Sequence, residues 1–441
     1  MTEARLLCVG DMHLGRRPGS LPQDAPRDVG PRAAWLRVVD LAIELRVDAV
    51  LLAGDVVDSR NGYMEAYGAL RSGVQRLREK DIDVVAVAGN HDVEVLPRLV
   101  DELPDVHLLG RGGTWDSFVV RRGTDAVARI IGWSFPKSSF ESSPLDSLTD
   151  SQRRLQFNDD ASDDLRTVGL LHCDLGETGS AYAPVSESAL MNVGVSAWFL
   201  GHIHKPSIAD GSRPIGYLGS LLGLDPGEPG VHGPWLAESA VAGWQLKQIE
   251  CAPLRWERVD VDISDCKDTV AIESALMRSL TEVHERITSD SVLLVGVRPR
   301  LVGETKLSPS EVRSAIYSTT QQEEVRHNDV LYFFDKVEDE SREVIDLESL
   351  ARGTDPASLL ARRLKTLLSK GDGYQEMIGA ARAQMLAAVS HGRFAALGAL
   401  DLEDEHVRKA LIRTARRALS ELLAQKKATD GAQTSQEGAL A

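Results

Sequence analysis

The chain opens with short apolar runs, each ending in a turn built from Gly with Asp or Asn. ARLLCVGD (4–11), DAVLLAGD (48–55) and DVVAVAGN (83–90) are runs of this kind. Unbroken apolar stretches of this length, bounded by turn residues, predict strands buried on both faces. Between them the spacing becomes helical. In AAWLRVVDLAIELR, residues Trp35, Val38, Val39, Ala42 and Ile43 share a face; further on, Tyr67, Leu70, Val74 and Leu77 do the same. Strand–helix–strand alternation predicts an α/β fold around a buried sheet. Three later runs, VARIIGWSF (127–135), TVGLLHCD (167–174) and SAWFLGHIH (196–204), have fewer helical stretches between them and predict a second sheet.

The pattern changes after ERVDVDIS (257–264). DTVAIESALMRSLTEV and SPSEVRSAIYSTT are helical, whereas SVLLVGVRPRL and DVLYFFDKV are strand-like, so a small α+β module is expected over about 260–345. Asp355 is then a good N-cap with Pro356 at the first helical position. Leu360, Leu364, Leu367 and Leu368 make the apolar face of the helix that follows, and Val407, Leu411, Ala415, Ala418 and Leu422 make that of a second. The last stretch, KKATDGAQTSQEGALA, is small and polar and is expected to be disordered. The expected organisation is a first domain at 1–258, a module at 259–348, a helical region at 349–427 and a tail at 428–441.

Length and charge narrow the picture. With 441 residues, two or three domains are the prior. Fifty Lys and Arg against 66 Asp and Glu leave a net charge of −16, which argues against coating nucleic acid by bulk charge. A local basic patch or bound cations could still carry such an attraction. Loop 14–33, rich in Pro, Gly and Arg, is a surface excursion: either solvated, or a flap turning Arg16, Arg17, Arg27 and Arg32 towards phosphates. The four cysteines (Cys8, Cys173, Cys251, Cys266) form no CxxC pair and read as reduced thiols, fitting the cytoplasm. The apolar stretch at the N-terminus is too short for a signal peptide, and no run approaches the ~18 apolar residues of a membrane span.

The candidate chemistry lies in the turns after the strands. GDMH (10–13), GDVVD (54–58), GNHD (89–92), His172 in LLHCD and GHIH (201–204) each follow an apolar run. Open α/β sheets bind ligands beyond the carboxyl ends of their strands, so these turns are expected to converge. In extended chain, i and i+2 point the same way, which lets Asp11 and His13 share a target, as can His202 and His204. Carboxylate, amide oxygen and imidazole without thiolate suit Mn²⁺, Fe²⁺ or Zn²⁺ in a working site better than a structural zinc. Any one of these motifs alone is an ordinary turn; the ordered set carries the signal. The remaining histidines (His107, His232, His284, His327, His391, His406) read as structural or solvent-facing.

The ordered set D-x-H, G-D, G-N-H-D, H and G-H-x-H resembles that of the calcineurin-like metallophosphoesterases, over residues 4 to about 245. YAPVSESAL (182–190), LGHIHKP (200–206) and YLGSLLGLDPGEPGVHGPW (217–235) further resemble the DNA-repair branch, the SbcD-type exonucleases. The resemblance implies a two-sheet sandwich flanked by helices, then a small α+β capping domain and a helical C-terminal region. It implies two divalent ions, usually Mn²⁺, the first held by Asp11, His13 and His204 and the second by Asn90, His172 and His202, with Asp55 bridging. His91 would serve the leaving oxygen and Asp92 would orient its ring, with Arg16 and Arg17 contacting substrate. The implied activity is phosphodiester hydrolysis in DNA by a nuclease subunit partnered with an SMC-like coiled-coil ATPase, with pairing of two copies as a further family habit. Two other readings share the ligands: a phosphoesterase for a cyclic nucleotide or phosphomonoester, and a non-catalytic metal-stabilised scaffold. The C-terminal helices argue against the former, and the His91–Asp92 pair against the latter.

Overall fold

The computed structural model describes residues 3–58, 63–148, 165–176, 179–321, 324–389 and 403–437. Two compact units form, one from residues 1–259, 279–299 and 323–337, the other from 260–278, 300–322 and 338–441.

The first unit carries the strand–helix alternation seen in the sequence: β1 (Arg5–Val9), α1 (Pro31–Leu45), β2 (Ala49–Ala53), α2 (Tyr63–Arg78), β3 (Asp83–Val87), α3 (Leu96–Asp101) and β4 (Val106–Leu108). There follow β5 (Trp115–Arg122), β6 (Asp125–Trp133), β7 (Thr167–His172), α4 (Glu187–Val193), β8 (Ala197–Gly201), β9 (Ile215–Tyr217), β10 (Trp235–Ala240) and β11 (Gly243–Gln248). One sheet has the order β11-β10-β1-β2-β3-β4, the other β5-β6-β7-β8-β9. Strands β1 to β4 are mutually parallel, as are β6 to β9, so their carboxyl ends lie along one edge of each sheet.

The sheets pack face to face. Leu6, Cys8, Leu51, Ala53, Val85 and Val87 of the first meet Ile130, Val168, Leu170, Ala197 and Phe199 of the second in one buried cluster. The opposite face of the first sheet, Leu7, Val9, Val50, Leu52, Val84 and Ala86, is covered by α1 and α2 through Trp35, Val38, Leu70 and Val74. Each central strand is therefore covered on both faces, which is why it reads as an unbroken apolar run instead of an alternating one. The fold is an α/β sandwich of two mixed sheets flanked by helices.

The expected module at 259–348 contributes to both units. Leu294–Val297 pairs in parallel with Leu331–Phe334, and Leu294, Leu331 and Phe333 join the apolar cluster of α1 and α2. These pairings tie 294–297 and 331–334 to the first unit.

The second unit holds the C-terminal helices. Pro356–Ser369 begins where its sequence says, with the Asp355 carboxylate accepting from Ser358 N–H at 2.8 Å. Ala357, Ala361 and Leu364 pack against Leu419 and Leu422 of the helix Asp404–Glu437, and Leu367 packs with Tyr374, Ile378 and Val407. Leu368, placed on that face by spacing, is instead 37% exposed. The last helix runs past residue 427 to Glu437, because Ala, Gln and Lys are good helix formers and each added residue gains a hydrogen bond. Residues 438–441 of the expected tail lie outside the described residues, as does His391.

Candidate metal centre

The turns singled out in the sequence come together at the carboxyl ends of β1, β2, β3, β7 and β8. Their approach is close enough to dictate glycine. A Cβ on Gly201 would lie 2.0 Å from the Ala53 carbonyl oxygen, and one on Gly54, which has φ +87°, would lie 2.6 Å from His172 Nδ1. The backbone is also strained at the ligand positions themselves: φ is 47° at His13, 46° at Asp55 and 106° at His202. Such conformations cost about 1–3 kcal/mol each and persist only where the surroundings enforce them. Here the N–H groups of Met12 and His13 donate to the Asp55 carbonyl at 3.0 and 2.9 Å, and the His202 N–H donates to Asp11 Oδ1 at 3.0 Å.

Besides a more exposed group of His13, Asp58 and His91, two clusters of donor atoms result. In the first, His13 Nε2 and His204 Nε2 stand 3.1 Å apart, grouped with an Asp11 carboxylate oxygen. In the second, His172 Nε2 is 3.0 Å from Asn90 Oδ1 and 3.4 Å from Asp55 Oδ2, and Asp11 again joins. The ring tautomers reveal what the clusters are suited to hold. His172 Nδ1–H donates to the Ala53 carbonyl at 3.1 Å, and His204 Nδ1–H donates to Glu228 Oε1 at 2.7 Å. In the neutral rings this leaves both Nε2 atoms as lone-pair nitrogens, that of His172 facing the Asn90 and Asp55 oxygens and that of His204 facing the His13 ring. A cation between such groups would be held by all of them, so these residues fit divalent metal ions. His202 lies at the side of the second cluster, its ring centroid 5.1 Å from that of His172 and its Nε2 3.1 Å from Asp174 Oδ1.

Electrostatics follow from burial and crowding. Burial pushes the Asp55 carboxyl up, but His172, His13 and His91 together outweigh it and hold it below the usual range. Burial opposes a charged His172, yet Asp55 and Asp11 win and raise it. His202 is lowered by burial and by His172.

The expected role of Asp92 needs correction. Its side chain is fully buried and accepts from Val56 N–H at 2.7 Å and Gly89 N–H at 2.8 Å, so it fastens two ligand-bearing turns together. Burial and the nearby Asp55 push its carboxyl up to about 7. The group beside His91 is Asp58, whose carbonyl lies 3.2 Å and carboxylate 4.0 Å from His91 Nδ1. The reason is the turn after β3: with the Asp92 carboxylate satisfied by backbone donors beneath the loop, the half-exposed His91 ring lies over Asp58. Asp58 also lies 3.4 Å from His13 Nδ1 and 3.9 Å from Arg16, while Arg17 is exposed.

Sequence reasoning missed Asp58, Asp174 and Glu228. The first two were in view, since Asp58 closes GDVVD and Asp174 closes LLHCD. Glu228 is far in sequence from the histidine it meets, and no spacing rule links them. His232, read as structural, is buried with Nδ1 3.1 Å from Ser220 Oγ and Nε2 3.0 Å from the Glu228 carbonyl. Cys8, Cys173 and Cys251 are buried free thiols and Cys266 is half-buried. Among the described residues, no helix is long and apolar enough to cross a membrane.

Carboxylate, amide and imidazole donors thus gather at the strand ends of a two-sheet sandwich. Residues 4–206 match the model of the calcineurin-like phosphoesterase family. The chain is 25% identical over 299 residues to a Bacillus subtilis protein called uncharacterized metallophosphoesterase YhaO, covering 66% of this chain and 71% of that one. It is 29% identical over 290 residues to the DNA double-strand break repair protein Mre11 of Aeropyrum pernix, covering 63% and 69%. To the protein of that name in Methanopyrus kandleri it is 23% identical over 368 residues, covering 79% and 75%.

Proposed function

We propose that this protein is a metal-dependent DNA nuclease that hydrolyses phosphodiester bonds, acting as the nuclease subunit of a complex with an SMC-like ATPase. The observation that carries the hydrolytic part is the pair of facing lone-pair donors, His13 with His204 and His172 with Asn90, joined through Asp11 and Asp55. In this reading Asp11, His13 and His204 hold one ion, Asn90, His172 and His202 the other, and Asp55 both, with Mn²⁺ as the expected metal. Such ions, when bound, neutralise the anionic diester and activate water near neutral pH.

The chain's own residues do the rest. To act as the acid His91 must be doubly protonated: Nδ1–H then donates to the Asp58 carbonyl and Nε2–H supplies the proton to the leaving oxygen. General acid help of this kind is worth about 10²–10⁴ in rate. Arg16, half-exposed beside Asp58, and the exposed Arg17 contact the phosphates that flank the scissile one. DNA as substrate is supported by the name Mre11 borne by several relatives and by a match to one of them that extends over 79% of the chain. The ATPase as partner is supported by that same likeness and by the C-terminal helices, which a small-molecule esterase does not need.

A second reading, hydrolysis of a cyclic nucleotide or phosphomonoester, uses the same ligands. End-labelled duplex DNA incubated with Mn²⁺, with and without the partner ATPase, separates the two. Release of labelled nucleotides, lost in EDTA and in His91→Ala, is the expected result. Turnover of a chromogenic monoester with no action on DNA would overturn the nuclease reading and leave the second.

A further inference from the structure

The loop between β9 and β10 braces one half of the metal centre. Ser220 N–H donates to the His204 carbonyl at 2.9 Å and Leu221 N–H to the Asp11 carbonyl at 3.1 Å. The same loop brings Glu228 Oε1 to 2.7 Å from His204 Nδ1. Its other oxygen is fixed by Leu224 N–H at 3.0 Å and Ser220 Oγ at 3.4 Å, so the carboxylate has little freedom to move. On the other side of the centre, Asp174 Oδ1 lies 3.1 Å from His202 Nε2. Glu228 lies beyond residue 206, where the family match ends.

We propose that Glu228 is the positioning residue of the first ion and Asp174 that of the second, each setting the tautomer and ring orientation of one histidine of the GHIH turn. This rests on the two-ion reading above. An imidazole can present Nε2 to a cation only when its proton is held at Nδ1. Glu228 accepts that proton's hydrogen bond at His204, leaving Nε2 facing His13 Nε2 at 3.1 Å. At His202 the arrangement is inverted. Asp174 Oδ1 stands 3.1 Å from Nε2, so under this proposal Nδ1 is the nitrogen that serves the second ion. The two histidines, one residue apart, would then use opposite ring nitrogens, selected by the two carboxylates. Removing such partners typically costs 10–100-fold in metal affinity.

The test is calorimetric titration of the metal-free full chain with Mn²⁺ alone. The unaltered protein is expected to bind two ions. Glu228→Ala should bind one as tightly and the other about 10–100-fold more weakly, while Glu228→Gln, whose amide oxygen still accepts from Nδ1–H, should recover most of the loss. Adding Glu228→Ala to His204→Ala should cost little more than His204→Ala alone, whereas Asp174→Ala should weaken the other ion and add independently. If Glu228→Ala binds both ions as the unaltered protein does, or weakens both alike with no recovery in Glu228→Gln, the positioning role is wrong while the two-ion reading stands. If the unaltered protein binds fewer than two ions, that reading falls and takes the proposal with it.

Discussion

Asp92 offers a sharp separation of two roles. Adjacent to His91, it reads from sequence as the group that orients the ring; its contacts make it a fastener between the turns after β2 and β3. Asp92→Ala removes the acceptor of three buried N–H groups, Val56 at 2.7 Å, Gly89 at 2.8 Å and, at the longer distance of 3.4 Å, Val57. Each of the two close donors left unmet costs about 1–3 kcal/mol, so a loss of about 2–6 kcal/mol is expected from these two. Asp92→Asn keeps one acceptor oxygen and should lose roughly half as much. The measurement is urea unfolding of the chelated protein, with all variants compared at one pH. Tryptophan fluorescence is a clean probe, because all seven tryptophans lie within residues 1–259 of the first unit. If Asp92→Ala unfolds at the same urea concentration as the unaltered protein but loses turnover as His91→Ala does, Asp92 acts on the ring and the fastening argument is refuted.

Other expectations follow from the same contacts. His91→Ala should keep its metal, measured by elemental analysis, while turnover falls about 10²–10⁴-fold; loss of metal instead would make His91 a ligand. Asp55→Ala should lose metal and activity together, since its carboxylate belongs to the second cluster and also accepts from His91 N–H at 3.0 Å. Gly201→Ala places a Cβ 2.0 Å from the Ala53 carbonyl and should cost about 1–3 kcal/mol or more, with folding yield as the first readout. The pH dependence of the metal-free protein has a definite sign. A carboxyl raised by folding binds its proton more tightly in the native state, so stability is full below the ordinary carboxylate range and falls as pH rises towards 7. That decline should vanish in Asp92→Asn, and a slope unchanged by the substitution would show that another group causes it.

The strand runs and their terminal Asp, His and Asn residues were legible because buried parallel strands demand unbroken apolar sequence and ligands can gather only at their carboxyl ends. Local sequence therefore determined the sandwich and the convergence of the turns after β1, β2, β3, β7 and β8. It could not determine which nitrogen of each ring faces the centre. That depends on Glu228, Asp174 and the Ala53 carbonyl, none of which is tied by spacing to the histidine it meets. Nor could adjacency decide between Asp92 and Asp58 as the neighbour of His91. Neighbours in sequence share a turn, but the turn sends one side chain under the loop and the other over it. Hydrogen bonds act over about 3 Å regardless of chain separation, so the ligands were written in local pattern, and their partners were chosen by tertiary packing.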